Sequence, residues 1–171
     1  MEEKLKEIFN YGVKLEEDSI SFYSESAEKT NNPLGKQIFD FLIGEEKKHI
    51  EILNKIMSDM VESEDIQALA RSHKDVRTVF TDASQDYKSD IASDPDDIKA
   101  LEISMELENK GFKYYKEEAE KMPEKSRGRS LLEELARQES SHYELLDKTI
   151  QYLKDPQNWY LTDEKGPVEG G

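Results

Sequence analysis

Two glutamate–histidine pairs with the spacing Glu-x-x-His constrain the fold of this chain more than any other feature. The pairs are Glu46 with His49 and Glu139 with His142, and they lie 93 residues apart. Residues three apart on an α-helix share a face, so each pair can bind one metal ion. Both pairs also lie on apolar stripes of helical period, which turn them towards a core. The sequence therefore predicts two helices that each bury a carboxylate and an imidazole.

A further glutamate precedes each pair on an apolar stripe of its own. Glu16 lies 30 residues before Glu46, and Glu108 lies 31 residues before Glu139. Carboxylates and imidazoles inside a core need partners, because burying an unpaired charge is costly. We interpret the two glutamates and the two pairs as one set of metal ligands, namely Glu16, Glu46, His49, Glu108, Glu139 and His142.

A tyrosine follows each upstream glutamate at the same distance. Tyr23 and Tyr115 come seven residues after Glu16 and Glu108, two helical turns along the same face. A phenol at this position suits a hydrogen-bond donor that supports the ligands. The matched spacings in both halves predict an internally duplicated chain rather than a chance arrangement of glutamates.

Two neighbouring glutamates, Glu17 and Glu45, compete with the preferred ligands Glu16 and Glu46. Glu16 is preferred because the tyrosine that follows it repeats at the same offset in the second half of the chain. Glu46 is preferred because its spacing to His49 is repeated in the second half.

The third histidine, His73, has no glutamate three residues before it and no counterpart in the other half. We expect it to be a surface or packing residue rather than a ligand. The alternative to a metal site is a charged helical bundle whose histidines are only partly buried.

Charge and cysteine content narrow the classes of function. The 171 residues carry a net charge of −15, which opposes binding to nucleic acid or to anionic membranes. The absence of cysteine excludes disulfides, thiolate ligands and cysteine nucleophiles. The charged N-terminus lacks the apolar segment of a signal peptide, and no apolar run is long enough to span a membrane. We therefore expect a cytoplasmic protein.

Periodicity predicts four long helices in two hairpins, at about residues 2–29, 33–60 and 95–121, with the fourth running from about residue 124 or 126 to 153. Residues 61–93 form the long connection between the hairpins, with one or two short helices. We expect a bundle domain over residues 1–155 and a tail over residues 156–171. The tail contains the apolar cluster Trp159, Tyr160 and Leu161, which we expect to pack on the bundle or on a partner subunit.

These motifs resemble the ferritin-like superfamily and, within it, the rubrerythrin-type di-iron proteins. The resemblance covers nearly the whole chain, including the ending from Tyr152 to Trp159. It implies an all-α, ferritin-like four-helix bundle of two helical hairpins with a long crossover that contains short helices. It also implies a homodimer, two iron ions bridged by Glu46 and Glu139, and reduction of hydrogen peroxide or dioxygen. The ligand chemistry would accept manganese or zinc as well.

The chain departs from the typical rubrerythrin pattern in two respects. Typical rubrerythrins carry a cysteine-ligated rubredoxin module, so here the electrons would come from a separate donor such as a rubredoxin-like protein. They also carry an additional glutamate at the position of Gly111, while Ser19 occupies the equivalent position in the first helix. The alternatives to an oxidoreductase are therefore iron binding with ferroxidase-type iron handling, without peroxidase turnover, and a structural metal bundle.

Overall fold

The computed structural model describes residues 2–58, 62–85, 94–156 and Trp159, and these residues form helices and no strand. The long helices are α1 (Glu2–Lys29), α2 (Pro33–Met57), α5 (Pro95–Glu120) and α6 (Arg127–Lys154). Two short helices, α3 (Ser63–Ser72) and α4 (Val76–Gln85), lie in the crossover. The prediction of an all-α bundle of two hairpins with short helices in the crossover is confirmed.

Capping side chains set the starts of three long helices. The side chains of Asn32, Asp94 and Ser126 accept hydrogen bonds from backbone N–H groups in the first turns of α2, α5 and α6. Pro33 and Pro95 follow two of these caps at the first helical position, where proline's missing N–H has no cost.

The predicted end of α2 at residue 60 was wrong. The helix ends at Met57, because the backbone N–H of Ser58 bonds to the carbonyls of both Asn54 and Lys55, which tightens the last turn. Residues 59–61 lie outside the described part of the chain.

The two hairpins are built by α1 packing along α2 and by α5 packing along α6, and α1 also contacts α5. Two apolar clusters fill the bundle. One cluster contains Leu42 and Leu146, and the other contains Leu53 and Leu135. On every long helix the predicted ligands lie between residues of the two clusters, so apolar packing closes the site from both ends.

The tail begins against the bundle. The indole of Trp159 packs on Phe80, with ring centroids 5.1 Å apart, and edge-on against Tyr152. Tyr160 and Leu161, which we expected to join it, lie outside the described residues. None of the described helices combines the length and the apolar character that crossing a membrane requires.

Candidate metal centre

The six predicted ligands converge in the middle of the bundle. None of them is more than 3 % exposed. Their ligand atoms form two groups of four, and within each group the atoms lie within 4.8 Å of one another. One group comprises Glu16, Glu46, His49 and Glu139, and the other comprises Glu46, Glu108, Glu139 and His142. Glu46 and Glu139 belong to both groups, which is the arrangement expected of two carboxylates that bridge two ions.

The first histidine faces three of the carboxylates. Nδ1 of His49 lies 2.8 Å from Oε2 of Glu46, 3.1 Å from Oε1 of Glu139 and 3.5 Å from Oε1 of Glu16. These residues come from three helices, α1, α2 and α6. Nδ1 of His49 is therefore surrounded by carboxylate oxygens from both hairpins.

The second histidine repeats this geometry from the opposite side. Nδ1 of His142 lies 3.3 Å from Oε1 of Glu46 and 3.3 Å from Oε2 of Glu108. The rings of His49 and His142 lie nearly parallel, with centroids 5.6 Å apart and planes inclined by 18°. The site is thus duplicated, as the chain is.

Burial, together with the crowding of charge, shifts the pKa values of the acidic groups. Burial, reinforced by the charge of Glu46, raises the pKa of Glu16 to about 7. Burial and the charges of Glu16 and Glu46 raise the pKa of Glu139 well above its ordinary value. Burial disfavours the ionised form of Glu46 itself, but the imidazoles of His142 and His49 outweigh burial and lower its pKa.

Burial alone would lower the pKa values of the two histidines, whereas it raises those of the glutamates. Burial disfavours the imidazolium of His142, but the carboxylates of Glu108 and Glu46 outweigh it and raise the pKa to about 10. Glu46, Glu139 and Glu16 likewise raise the pKa of His49 against the effect of burial. Without bound cations the cluster therefore holds protons in place of them.

The cluster also contains buried atoms that lack hydrogen-bond partners. They include both carboxylate oxygens of Glu46, one oxygen each of Glu108 and Glu139, and Nδ1 of both histidines. Nearly all buried polar atoms in folded proteins have partners, and metal ions would satisfy these. Four carboxylates also balance the charge of two divalent cations. Oxygen and imidazole donors in this combination suit iron, manganese or zinc, so the residues fit a di-metal centre.

Two buried tyrosines support the outer carboxylates. The hydroxyl of Tyr23 donates a hydrogen bond to Oε1 of Glu108, and that of Tyr115 donates one to Oε1 of Glu16. The spacing did not indicate which glutamate each tyrosine contacts, and the structure pairs each one with the glutamate of the other hairpin. A tyrosine lies seven residues, about 10 Å, along the helix from the glutamate of its own helix, whereas antiparallel α1 and α5 bring each phenol level with the opposite glutamate.

The competing residues fall outside the two ligand groups. Glu17 is exposed. Glu45 is buried, but its carboxylate lies 2.6 Å from Nζ of Lys48 and 3.5 Å from Nδ1 of His73. The side chain of His73 is only 7 % exposed and its ring lies 5.7 Å from that of His142. The side chain of His73 is therefore buried beside the centre and does not lie on the surface.

Gln138 is a supporting residue that the sequence analysis missed. Its Oε1 lies 3.0 Å from Nε2 of His49, and its amide nitrogen donates a hydrogen bond to Glu134. Nε2 of His49 is thus the donor, which leaves the lone pair of Nδ1 for a metal. Gln138 precedes Glu139 as Glu45 precedes Glu46, and this repeated position was the signal that could have found it.

A narrow pocket of about 30 Å³ reaches the centre from the side of α1 and α5. Its lining includes Ser19, Gly111 and the ligands Glu16 and Glu139. This volume suits one or two molecules of the size of water. A Cβ atom at Gly111 would lie 2.8 Å from Oε2 of Glu139, so the glycine allows that carboxylate to approach α5 closely.

These observations define the class of protein as a four-helix bundle with a buried cluster of carboxylates and imidazoles that can bind metal. The family model of the rubrerythrins matches residues 7–150 and 99–169, and the chain belongs to the rubrerythrin family. No curated protein and no solved structure gives a significant match to the chain.

Proposed function

We propose that this protein is a di-iron oxidoreductase that reduces hydrogen peroxide or dioxygen. The observation that carries the proposal is the pair of four-ligand groups that share Glu46 and Glu139. A buried site of this composition can hold two irons next to each other, and the pocket beside Gly111 admits only small molecules. When bound, the two irons would supply the two electrons that cleave an O–O bond.

The protein's own residues would orient the ligands and exclude water. Tyr23 and Tyr115 each hold one oxygen of an outer glutamate, and this leaves the second oxygen of Glu108 directed at His142. Oε1 of Gln138 orients the ring of His49 by accepting a hydrogen bond from its Nε2. The apolar clusters at both ends of the site keep bulk water away from it.

The protons for this reaction would come from outside the ligand set. Reduction of hydrogen peroxide to two waters consumes two electrons and two protons. With cations bound, the carboxylates of the cluster are deprotonated ligands. The protons would therefore enter with the substrate or with water through the narrow pocket lined by Ser19, Glu16 and Glu139.

We further propose that the protein acts as a homodimer and takes electrons from a separate donor, such as a rubredoxin-like protein. The 171 residues contain no cysteine, so they provide no thiolate-ligated iron of their own. The location proposed for this reaction is the cytoplasm.

A second candidate function is iron handling without repeated turnover of peroxide. The observation that favours it is Gly111, which stands where typical rubrerythrins carry an additional glutamate. The close approach of Glu139 to this glycine leaves no space there for a longer side chain unless the carboxylate moves.

The test is peroxide consumption by the iron-loaded protein with an excess of a reduced donor. An oxidoreductase consumes many equivalents of peroxide per centre, whereas an iron-handling protein stops after its own irons are oxidised. Glu46→Gln serves as the control, because it removes the charge of a shared ligand and should abolish turnover. Consumption that is equal in the variant and the unmodified protein would contradict both functions.

A further inference from the structure

A second cluster of potential ligands lies immediately outside the centre. Glu45, His73 and His142 each bring one ligand atom within 4.8 Å of the others. The side chains of Glu45 and His73 are 5 % and 7 % exposed, and that of His142 is 1 % exposed. Only His142 also belongs to the di-metal centre, which it faces with Nδ1.

The imidazole nitrogens of this cluster make no hydrogen bonds. Neither Nδ1 nor Nε2 of His73 has a hydrogen-bond partner, and Nε2 of His142 has none. The counterpart of His142 in the other half, His49, differs in this respect because Gln138 accepts a hydrogen bond from its Nε2. Three buried imidazole nitrogens without partners are therefore concentrated on one side of the centre.

The carboxylate of Glu45 completes a ligand set. Its Oε1 is paired with Nζ of Lys48 at 2.6 Å, whereas its Oε2 lies 3.5 Å from Nδ1 of His73. Two imidazoles and one carboxylate are a common set for a divalent transition metal that keeps open coordination positions. Lys48 offsets part of the negative charge, so the set suits a weaker site than the centre itself.

The cluster lies next to an opening to solvent. His73 lines a cavity of about 450 Å³ on the outside of the bundle. The acidic and basic residues that also line the cavity are Asp75, Arg77, Arg137 and Glu144. An ion that arrives through this cavity meets His73 before it reaches His142, whose Nδ1 already faces the centre.

We propose that Glu45, His73 and His142 form a third, outer site for a divalent transition-metal cation, through which metal reaches the di-metal centre. His142 would hold the outer ion through Nε2, whose proton is released to solvent, so that with Nδ1 on the centre the ring is a bridging imidazolate. This inference rests on the proposed di-metal centre, because His142 connects the two sites. The outer site is the weaker of the two, with one carboxylate where the centre has four.

The test is the number of Zn²⁺ ions that the metal-free, full-length chain binds at equilibrium. Dialysis against a series of free Zn²⁺ concentrations, followed by elemental analysis, should give three ions per chain, the third with the lowest affinity. His73→Ala should reduce the number at equilibrium to two, and samples withdrawn during the dialysis should show that these two fill more slowly than in the unmodified protein. Glu144→Gln alters a charged residue of the same cavity and should leave three. If His73→Ala does not fold, His73→Gln replaces it with the same expected result.

The other outcomes overturn the proposal in distinguishable ways. Two ions in the unmodified protein would remove the outer site and leave the centre intact, whereas fewer than two would remove the centre as well. Fewer than two ions in His73→Ala would place His73 among the ligands of the centre. An equal loss in His73→Ala and Glu144→Gln would show that the third ion binds to the acidic surface.

Discussion

The hydroxyl of Tyr23 donates a hydrogen bond to the carboxylate of Glu108, 85 residues later and in the other hairpin. Tyr115 makes the reciprocal bond to Glu16. The bond from Tyr23 occupies Oε1 of Glu108 and leaves Oε2 3.3 Å from Nδ1 of His142. In Glu16 a single oxygen, Oε1, both accepts the bond from Tyr115 and lies 3.5 Å from Nδ1 of His49. Each tyrosine therefore joins the two hairpins and at the same time orients a glutamate of the metal centre.

We expect Tyr23→Phe and Tyr115→Phe to destabilise the protein by similar amounts. Each removes a buried hydrogen bond to a carboxylate, a change that costs about 1–3 kcal/mol. Each should also weaken metal binding, because the carboxylate loses the donor that orients it. Urea denaturation and metal titration measure the two effects. Tyr143→Phe on the exposed face is the control, and an effect of equal size there would contradict the role of the buried phenols.

Removal of metal should lower the melting temperature. The protein loaded to two ions per chain gains stability by mass action, by about 2.7 kcal/mol for each site whose dissociation constant the free metal exceeds a hundredfold. Calorimetry with and without a chelator measures the difference at neutral pH. A melting temperature that chelation leaves unchanged, or a reconstituted count of one ion per chain, would contradict the assignment of the six ligands.

The features that follow from local periodicity were predictable, and those that depend on contacts between helices were not. The spacing of Glu46 to His49 and its repeat placed the ligands, because residues three apart share a helix face whatever surrounds them. The partners of Tyr23 and the packing of His73 depend on how antiparallel helices are offset. No local pattern encodes that offset.

The metal-free protein should become less stable as the pH rises from about 5 to 10. The pKa of Glu16 is raised to about 7 in the folded state, so the fold holds a proton that the unfolded chain releases above its ordinary pKa of 4.5. His142, with a pKa of about 10, extends the decline upwards from its ordinary value of 6.5. Glu45, whose pKa is lowered to about 2, acts in the opposite sense only below about pH 4.5.

Metal should suppress this pH dependence, because cations replace the protons that the cluster otherwise holds. Urea denaturation at several pH values, with and without bound metal, provides the comparison. The expected result is a free energy of unfolding that falls with pH in the metal-free protein and falls less in the loaded protein. If the metal-free protein instead gained stability across this range, the claim that its folded cluster binds protons through Glu16 and His142 would be contradicted.

Gly111→Ala should weaken metal binding, because the new Cβ would lie 2.8 Å from Oε2 of Glu139, a contact that the carboxylate must move to relieve. Gly44→Ala provides the matched control within a long helix, since a Cβ there meets no atom within 4 Å. Alanine in a helix interior is favoured over glycine by about 0.5–1 kcal/mol, so Gly44→Ala should raise the melting temperature with metal binding unchanged. In Gly111→Ala the same gain in helix stability is opposed by displacement of Glu139, which belongs to both ligand groups.

Metal titration and calorimetry on both variants separate the effect on metal binding from the effect on helix stability. If both variants bind metal as the unmodified protein does, the contact between Gly111 and Glu139 has no part in holding the metal.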